Sequence, residues 1–416
     1  VSGVPVLDDY AAIVGRERID VLRRLAARLE GLRLVIVNST RVGGGVAEIL
    51  ARHVPLLGEL GLDVRWEIVT GDPLYFGATK RIHNALQGGT VDLTPAQREA
   101  FVDTARRNAE RLQLGDADAV VIHDPQPAPL IAYAPKVCPW IWRCHIDASR
   151  PFRPVWKFLR SWVRLYDASV FSLAAFTRSL EHPQFLIPPS IDPLSDKNRA
   201  LGDGEVDRRL SALSIDRTKP LLVQVSRFDR FKNPVGLIRA FRRVRKRDAC
   251  RLVLAGGSAD DDPEGAEVLR EVRDEAAGDP DIDILSLEPD RHLDINALQR
   301  AATIVVQNST REGFGLTVTE ALWKAKPVVA GAAGGITLQV HDHRTGFLVH
   351  SEEGLAFRLR YLLNRRKLAT TMGEEGRELV RYRFLLTRHL RDWLTLLLIV
   401  TGRTGSFEKD TAPGPA

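Results

Sequence analysis

The chain has 416 residues, 44% hydrophobic and 27% charged, the proportions of a soluble globular protein with material for two or three cores and not of a disordered or fibrous one. A net charge of +6 arises from 59 Lys and Arg interspersed with 53 Asp and Glu, which suits an anionic small substrate; no basic stripe with interleaved aromatics points to nucleic acid. Cys138, Cys144 and Cys250 have neither a disulfide-framework nor a zinc-ligand spacing, so a cytoplasmic protein that holds no metal is expected.

The first residues, Val-Ser-Gly-Val-Pro-Val-Leu-Asp-Asp, lack the basic and apolar segments of a secretory signal. Residues 32–37 predict a strand, Gly43, Gly44 and Gly45 a tight turn, and 46–61 a helix with apolar residues at helical spacing. Glycines between a strand and a helix let the backbone approach a ligand, and Arg41 stands beside them. Further strands are expected at 64–69, 119–122 and 140–142. Between them His83, Asn84 and Gln87 fall near one helix face, and Asp124 and Gln126 follow the strand that ends in His123. These groups supply the directional donors and acceptors a second sugar needs, although each alone also reads as a cap or turn former. His145 and Asp147 follow the next strand, within reach of hexose hydroxyls.

A proline-rich stretch, Ile-Pro-Pro-Ser-Ile-Asp-Pro-Leu-Ser at 187–195, reads as a stiff linker between a domain over 1–188 and a second over 189–382. The strand pattern restarts at 221–225, 251–255, 282–285, 304–306 and 327–330, so the fold class is α/β with two doubly wound units. Asp260, Asp261 and Asp262 read as a polar surface loop and not as metal ligands. Residues 383–400 are expected to form a helix that returns to the first domain, and 403–416 a disordered tail. The longest apolar run, 393–400, falls far short of the roughly 20 residues of a membrane span.

Two segments carry the chemistry. Residues 221–232 read Leu-Leu-Val-Gln-Val-Ser-Arg-Phe-Asp-Arg-Phe-Lys, a buried strand followed by Arg227 and Lys232, cations with no run of acids beside them and suited to a diphosphate. Residues 311–320 read Arg-Glu-Gly-Phe-Gly-Leu-Thr-Val-Thr-Glu, a glycine-rich turn opening a helix at the carboxyl end of another strand. Backbone amides around Gly315, Leu316 and Thr317 suit phosphate, Glu320 one turn on can accept from two vicinal hydroxyls of a ribose, and Glu312 faces the other end of the ligand.

The Glu-x₇-Glu at 312–320 and the Arg-x₄-Lys at 227–232 resemble the marks of the retaining glycosyltransferases of the GT-B fold, family four. The ordered motifs at 38–48, 83–88, 123–127 and 142–147 look like those of the glycosyltransferring trehalose synthases within it, over about residues 10–395, and of the related trehalose phosphorylases. The resemblance implies two Rossmann-like domains facing a cleft, with Arg227 and Lys232 on the diphosphate, Glu320 on the ribose, Glu312 and His145 at the donor sugar, Gly43–Gly45 touching the donor, and Arg41, His83, Asn84, Gln87, Asp124, Gln126 and Asp147 toward the acceptor. It also implies front-face transfer between nucleoside diphosphate glucose and glucose, reversible from trehalose, with any Mg²⁺ accompanying the nucleotide and not held by the protein. A trehalose phosphorylase or sucrose-type synthase is the alternative reaction and a non-catalytic sugar-binding module the alternative class; no membrane or nucleic-acid partner is expected, and a homodimer is left open.

Overall fold

A computed structural model describes residues 5–42, 44–257 and 263–404. In its first half, α1 (Ala11–Val14) and α2 (Arg16–Ala27) precede β1 (Arg33–Asn38), α3 (Gly45–Glu59), β2 (Asp63–Ile68), α4 (Pro73–Leu86), α5 (Pro95–Leu112), β3 (Ala119–His123), β4 (Trp140–Arg143), α6 (Arg153–Val163), β5 (Ala168–Phe171) and β6 (Gln184–Leu186). The second half holds α7 (Asp203–Ala212), β7 (Leu221–Val225), α8 (Pro234–Arg245), β8 (Arg251–Gly256), α9 (Pro263–Ala276), β9 (Ile282–Ser286), α10 (His292–Ala301), β10 (Ile304–Gln307), α11 (Leu316–Trp323), β11 (Val328–Gly331), α12 (Ile336–Gln339), β12 (Gly346–Val349), α13 (Glu352–Leu363) and α14 (Arg366–Arg383), followed by α15 (Leu386–Val400).

Each half builds a six-stranded sheet, in the orders β2-β1-β3-β4-β5-β6 and β12-β11-β10-β7-β8-β9, and every pairing within them is parallel. Parallel strands need helical crossovers that cover both faces, which is why β3 and β7 are buried along their whole length. The strand order reverses between β1 and β3 in the first sheet and between β7 and β10 in the second. Crossovers leave opposite faces on either side of such a point, so a crevice opens at the carboxyl ends of those strands. The loops singled out in the sequence, after β1, β3, β7 and β10, leave from these two points.

Three strands escape the sequence reading. β5, β6 and β12 have only three or four residues each and lack an alternating or extended apolar run. The terminal helix also differs from expectation: α14 runs through Arg383, and Leu385 then pairs with Ile191 of the linker in a parallel bridge before α15 begins. The amide of Ile191 donates to Phe384 O at 2.9 Å and that of Leu386 to Ile191 O at 3.0 Å, so backbone pairing breaks the helix where no Pro or Gly marks it.

Helix α15 then packs on α2 and α3, burying Leu390, Trp393, Leu394 and Leu397 in the core beneath the first sheet. Each such side chain contributes roughly 1.5–3 kcal/mol by leaving water. The helix also grips the linker. Arg388 Nη2 donates to Pro188 O at 2.8 Å and Pro189 O at 3.0 Å. Trp393 Nε1 donates to His389 Nε2 at 2.9 Å, which leaves the His389 proton on Nδ1, 3.2 Å from Pro188 O. Among the described residues no helix is long and apolar enough to cross a membrane.

Candidate active site

The loops after β7 and β10 are bolted together. Gln224, in β7, accepts from the amide of Asn308 at 3.1 Å and donates to Lys232 O at 3.3 Å, and the amide of Thr310 donates to Phe231 O at 2.7 Å. This frame sets Lys232 Nζ against Glu312 Oε2 at 2.6 Å, with Ser309 Oγ donating to the same oxygen at 3.3 Å. Arg227 stands more openly, its side chain 67% exposed and 3.5 Å from Asp229. The sequence shows no run of acids beside these cations; in the structure single carboxylates meet them, Glu312 at Lys232 through chain reversal and Asp229 at Arg227 across the short turn.

Gly315 caps α11 in the left-handed conformation, φ +85°, which only glycine adopts without strain. The amide of Val318 turns back to Gly315 O at 3.0 Å, so the Leu316 and Thr317 amides remain at the open helix end. Thr317 Oγ1 is itself held by Gln307 Oε1 at 3.2 Å. Glu320 is buried, and its Oε2 has no hydrogen-bond partner among the described residues. An orphaned buried carboxylate oxygen is costly, and hydroxyl donors would satisfy it.

The first sheet meets this loop at two points. A Cβ on Gly313 would lie 2.7 Å from His145 O, and one on Gly45 would lie 2.7 Å from Leu316 Cδ1. The starts of α3 and α11 therefore abut, and both present positive dipole ends. Gly44 caps α3 with φ +81°, and Gly43 lies outside the described residues, as do Asp260, Asp261 and Asp262.

His145 lies flat against His123, ring centroids 5.2 Å apart, with His145 Nε2 and His123 Nδ1 sharing a hydrogen bond of 2.9 Å. Burial, then the neighbouring Arg143, hold both imidazoles well below the ordinary histidine range, so they are neutral hydrogen-bonding groups. Asp124 turns the chain beneath them with φ +66°, and its Oδ1 accepts from the His145 amide at 2.7 Å. Burial pushes the Asp124 carboxyl up to about 6. Gln126 presents a buried Oε1 with no partner among the described residues, while Asp147 Oδ1 accepts from the Ser149 amide at 3.0 Å, a local turn contact.

Helix α4 carries His83 and Asn84, with Gln87 at its carboxyl end, and brings His83 near the second-half cations. Burial and then Arg227 push His83 down to about 4, which places it in the field of the β7 loop. Gln87 caps the helix, and the Asn84 carbonyl accepts from the Gly89 amide at 2.9 Å. Arg41 lies over Trp66 of β2, its guanidinium 4.9 Å from the ring centroid. Sequence reasoning missed Arg311, whose guanidinium and the Arg150 carbonyl both crowd the position of a Cβ on Gly88, and Lys197, which pairs with Glu48 at 2.5 Å. Glu48 in the first turn after the glycines, and Lys197 just past the linker prolines, were the available signals. No group of three or more potential metal ligands occurs among the described residues.

Residues 36–178 match the family described as Trehalose synthase, N-terminal domain, and residues 207–379 match Glycosyl transferases group 1. A trehalose synthase from Rubrobacter xylanophilus is 43% identical over 409 residues, spanning 96% of this chain and 98% of that protein. The chain belongs to the trehalose synthase family. Another member, from Pyrococcus horikoshii, is 42% identical over 401 residues, covering 95% of this chain and 97% of its own. The sucrose-phosphate synthase of Thermosynechococcus elongatus superposes with a TM-score of 0.71 at 19% identity, over 89% of this chain and 99% of that one, a likeness of fold. The trehalose synthase family member described here is thus a glycosyltransferase of GT-B architecture, and its two switch-point loops face each other across the two sheets.

Proposed function

We propose that this protein transfers glucose, with retention, from a nucleoside diphosphate glucose to free glucose, forming trehalose reversibly. The observation that carries this reading is the Lys232–Glu312 pair at the open end of α11, 2.6 Å apart. A cation suited to the leaving diphosphate and a carboxylate suited to hexose hydroxyls meet where the scissile bond would lie.

On this reading the ribose hydroxyls donate to Glu320, the diphosphate meets Arg227, Lys232 and the Leu316 and Thr317 amides, and the donor hexose lies between Glu312 and His145. The glucosyl C1–O bond breaks as the acceptor hydroxyl forms a bond to C1 from the same face, and the departing phosphate oxygen takes the hydroxyl proton. No protein nucleophile is needed; catalysis is alignment plus stabilisation of the growing diphosphate charge, on the order of 2–4 kcal/mol per well-placed donor. Asp124, Gln126, Asn84 and Gln87 are assigned to the acceptor, and their neutral or acidic character favours an unphosphorylated hexose.

Product analysis tests this. With nucleoside diphosphate glucose and equal glucose and glucose 6-phosphate, trehalose is expected as the main product. Trehalose 6-phosphate as the main product would sink the acceptor assignment. In reverse, trehalose is expected to yield activated glucose with a nucleoside diphosphate; yield with inorganic phosphate alone would make the protein a phosphorylase.

A further inference from the structure

His123 closes β3, and His145 follows β4 by two residues. Asp124 ties their main chains together: its Oδ1 accepts from the His145 amide at 2.7 Å, its amide donates to Arg143 O at 2.7 Å, and its carbonyl accepts from Trp142 Nε1 at 2.9 Å. The backbone of His145 is therefore fixed, but among the described residues its ring has one hydrogen-bond partner, His123, with His145 Nε2 and His123 Nδ1 2.9 Å apart. Both imidazoles are neutral, so each carries one proton, and the bond between them holds one of the two. Which ring owns it decides what His145 offers a ligand.

The surroundings of His123 settle the ownership. Its ring borders a cavity of about 10 Å³ walled by Leu34, Ile36, Val121, His53 and Trp393. Trp393 Nε1 already donates to His389 Nε2, and His53 Nε2 is buried with no partner among the described residues, so neither takes a proton from His123 Nε2. A proton there would be a buried donor without an acceptor, a rarer and costlier state than an acceptor left bare. On Nδ1 the same proton is bonded to His145. His145 then accepts at Nε2 and keeps its own proton on Nδ1, in a half-buried residue whose carbonyl lies against Gly313 of the glutamate turn.

We propose that His123 is a positioning residue: by donating through Nδ1–H to His145 Nε2 it fixes the His145 proton on Nδ1 and makes His145 a hydrogen-bond donor toward the transferred hexose. This rests on the reading above that puts the donor hexose between Glu312 and His145. A carboxylate only accepts, so the hexose is flanked by an acceptor on one side and a donor on the other. Trp393 backs the arrangement, its ring centroid 6.2 Å from that of His123, so α15 props the ring that orients His145.

Nitrogen-15 spectra of protein labelled in its ten histidine rings test this, with His145 assigned by the signals that His145→Gln removes. The unmodified protein is expected to show His145 protonated on Nδ1 and bare on Nε2. In His123→Leu that fixed form is expected to be lost, and kcat for transfer from nucleoside diphosphate glucose to glucose to fall by about tenfold. Calorimetric affinity for the tightest binder among UDP, ADP and GDP is expected to be unchanged in that variant, because the nucleotide meets the second half. His123→Asn, whose amide can donate from the position of Nδ1, is expected to recover kcat to within about threefold, and His123→Gln, whose amide lies at the position of Nε2, is not. A proton on His145 Nε2 in the unmodified protein, normal kcat in His123→Leu, or an equal loss of nucleotide affinity overturns the proposal. If His123→Leu does not fold, equal kcat in His123→Asn and His123→Gln overturns it. Normal kcat in His145→Gln would instead overturn the placing of the donor hexose at His145, whichever tautomer is measured.

Discussion

Lys232 and Glu312 stand 80 positions apart in the chain yet join the loops of β7 and β10 through a bond of 2.6 Å. Their side chains are only 16% and 10% exposed, so each charge depends on the other. A bound sugar diphosphate would take over both partners, the cation turning to phosphate and the carboxylate to hydroxyls.

Arg227 and Lys232 should therefore separate catalysis from stability. Arg227→Ala is expected to lower kcat by about 10²–10³-fold with an unchanged melting temperature, since its side chain is 67% exposed. Lys232→Ala should lose as much activity and also destabilise by on the order of 3 kcal/mol, because Glu312 is left buried and unpaired. Paired replacement by Met and Leu should recover the stability without the activity. Steady-state kinetics beside thermal melts check this; near-normal kcat in either single variant removes its role at the leaving group.

For Glu320→Ala the expectation is a KM for the nucleotide sugar raised by about tenfold, with kcat little changed, because ribose contacts exist in ground and transition states alike. A modest fall in melting temperature should accompany it, because the Glu320 carboxylate offsets the buried charges of Lys197 and Lys324. A fall in kcat at constant KM would contradict the ribose assignment.

Gly313 and Gly45 invite a paired test. Alanine at Gly313 sets a Cβ 2.7 Å from the His145 carbonyl, a backbone atom that cannot yield without parting the halves. A destabilisation of about 1–3 kcal/mol and a loss of kcat/KM exceeding tenfold are expected. At Gly45 the obstacle is the tip of the Leu316 side chain, which can rotate, so Gly45→Ala should be the milder change. Equal effects would refute the distinction.

Acid should destabilise the protein steeply below neutrality. His53, His83, His123, His145 and His389 are held below the ordinary value of 6.5 by burial, with His53 at about 3 and His83 at about 4. The native state then binds fewer protons than the unfolded one, so their contribution is present above 6.5 and is lost as pH falls through that value toward 4 and 3. Asp124, raised to about 6 from 3.8, acts oppositely: its contribution is present below 3.8 and lost as pH rises through 6. Asp192 is likewise raised by burial and acts with Asp124, while His182, His292 and His341 are lowered and act with the other histidines, so eight imidazoles against two carboxyls decide the sign. Melting temperature should change little from pH 7.5 to about 6.5 and fall from there to 4.5; a flat profile below 6.5 would contradict the buried neutral histidines.

The sequence was most legible where chemistry and topology coincide. The cation loop after β7 and the glutamate turn after β10 could be placed because each follows a short, mainly apolar run, and such runs betray parallel sheets. Pairings across 80 residues, as between Lys232 and Glu312, or between the first turn of α3 and Lys197, have no local signature. The break before α15 was hidden for a related reason: a backbone bridge to Ile191 imposes it, and no residue there is a helix breaker. Arg41, a cation beside glycines, rests against Trp66, a contact 25 positions away that local sequence does not announce.

The return of α15 to the first sheet has a consequence for biosynthesis. The helix that seals the β1 and β3 layer is translated roughly two hundred residues after β6, the last strand of that sheet. Until then the apolar faces of α2 and α3 wait uncovered, while the second sheet can already close on its own strands. The half that is made first is thus finished last, and its maturation is bound to completion of its neighbour.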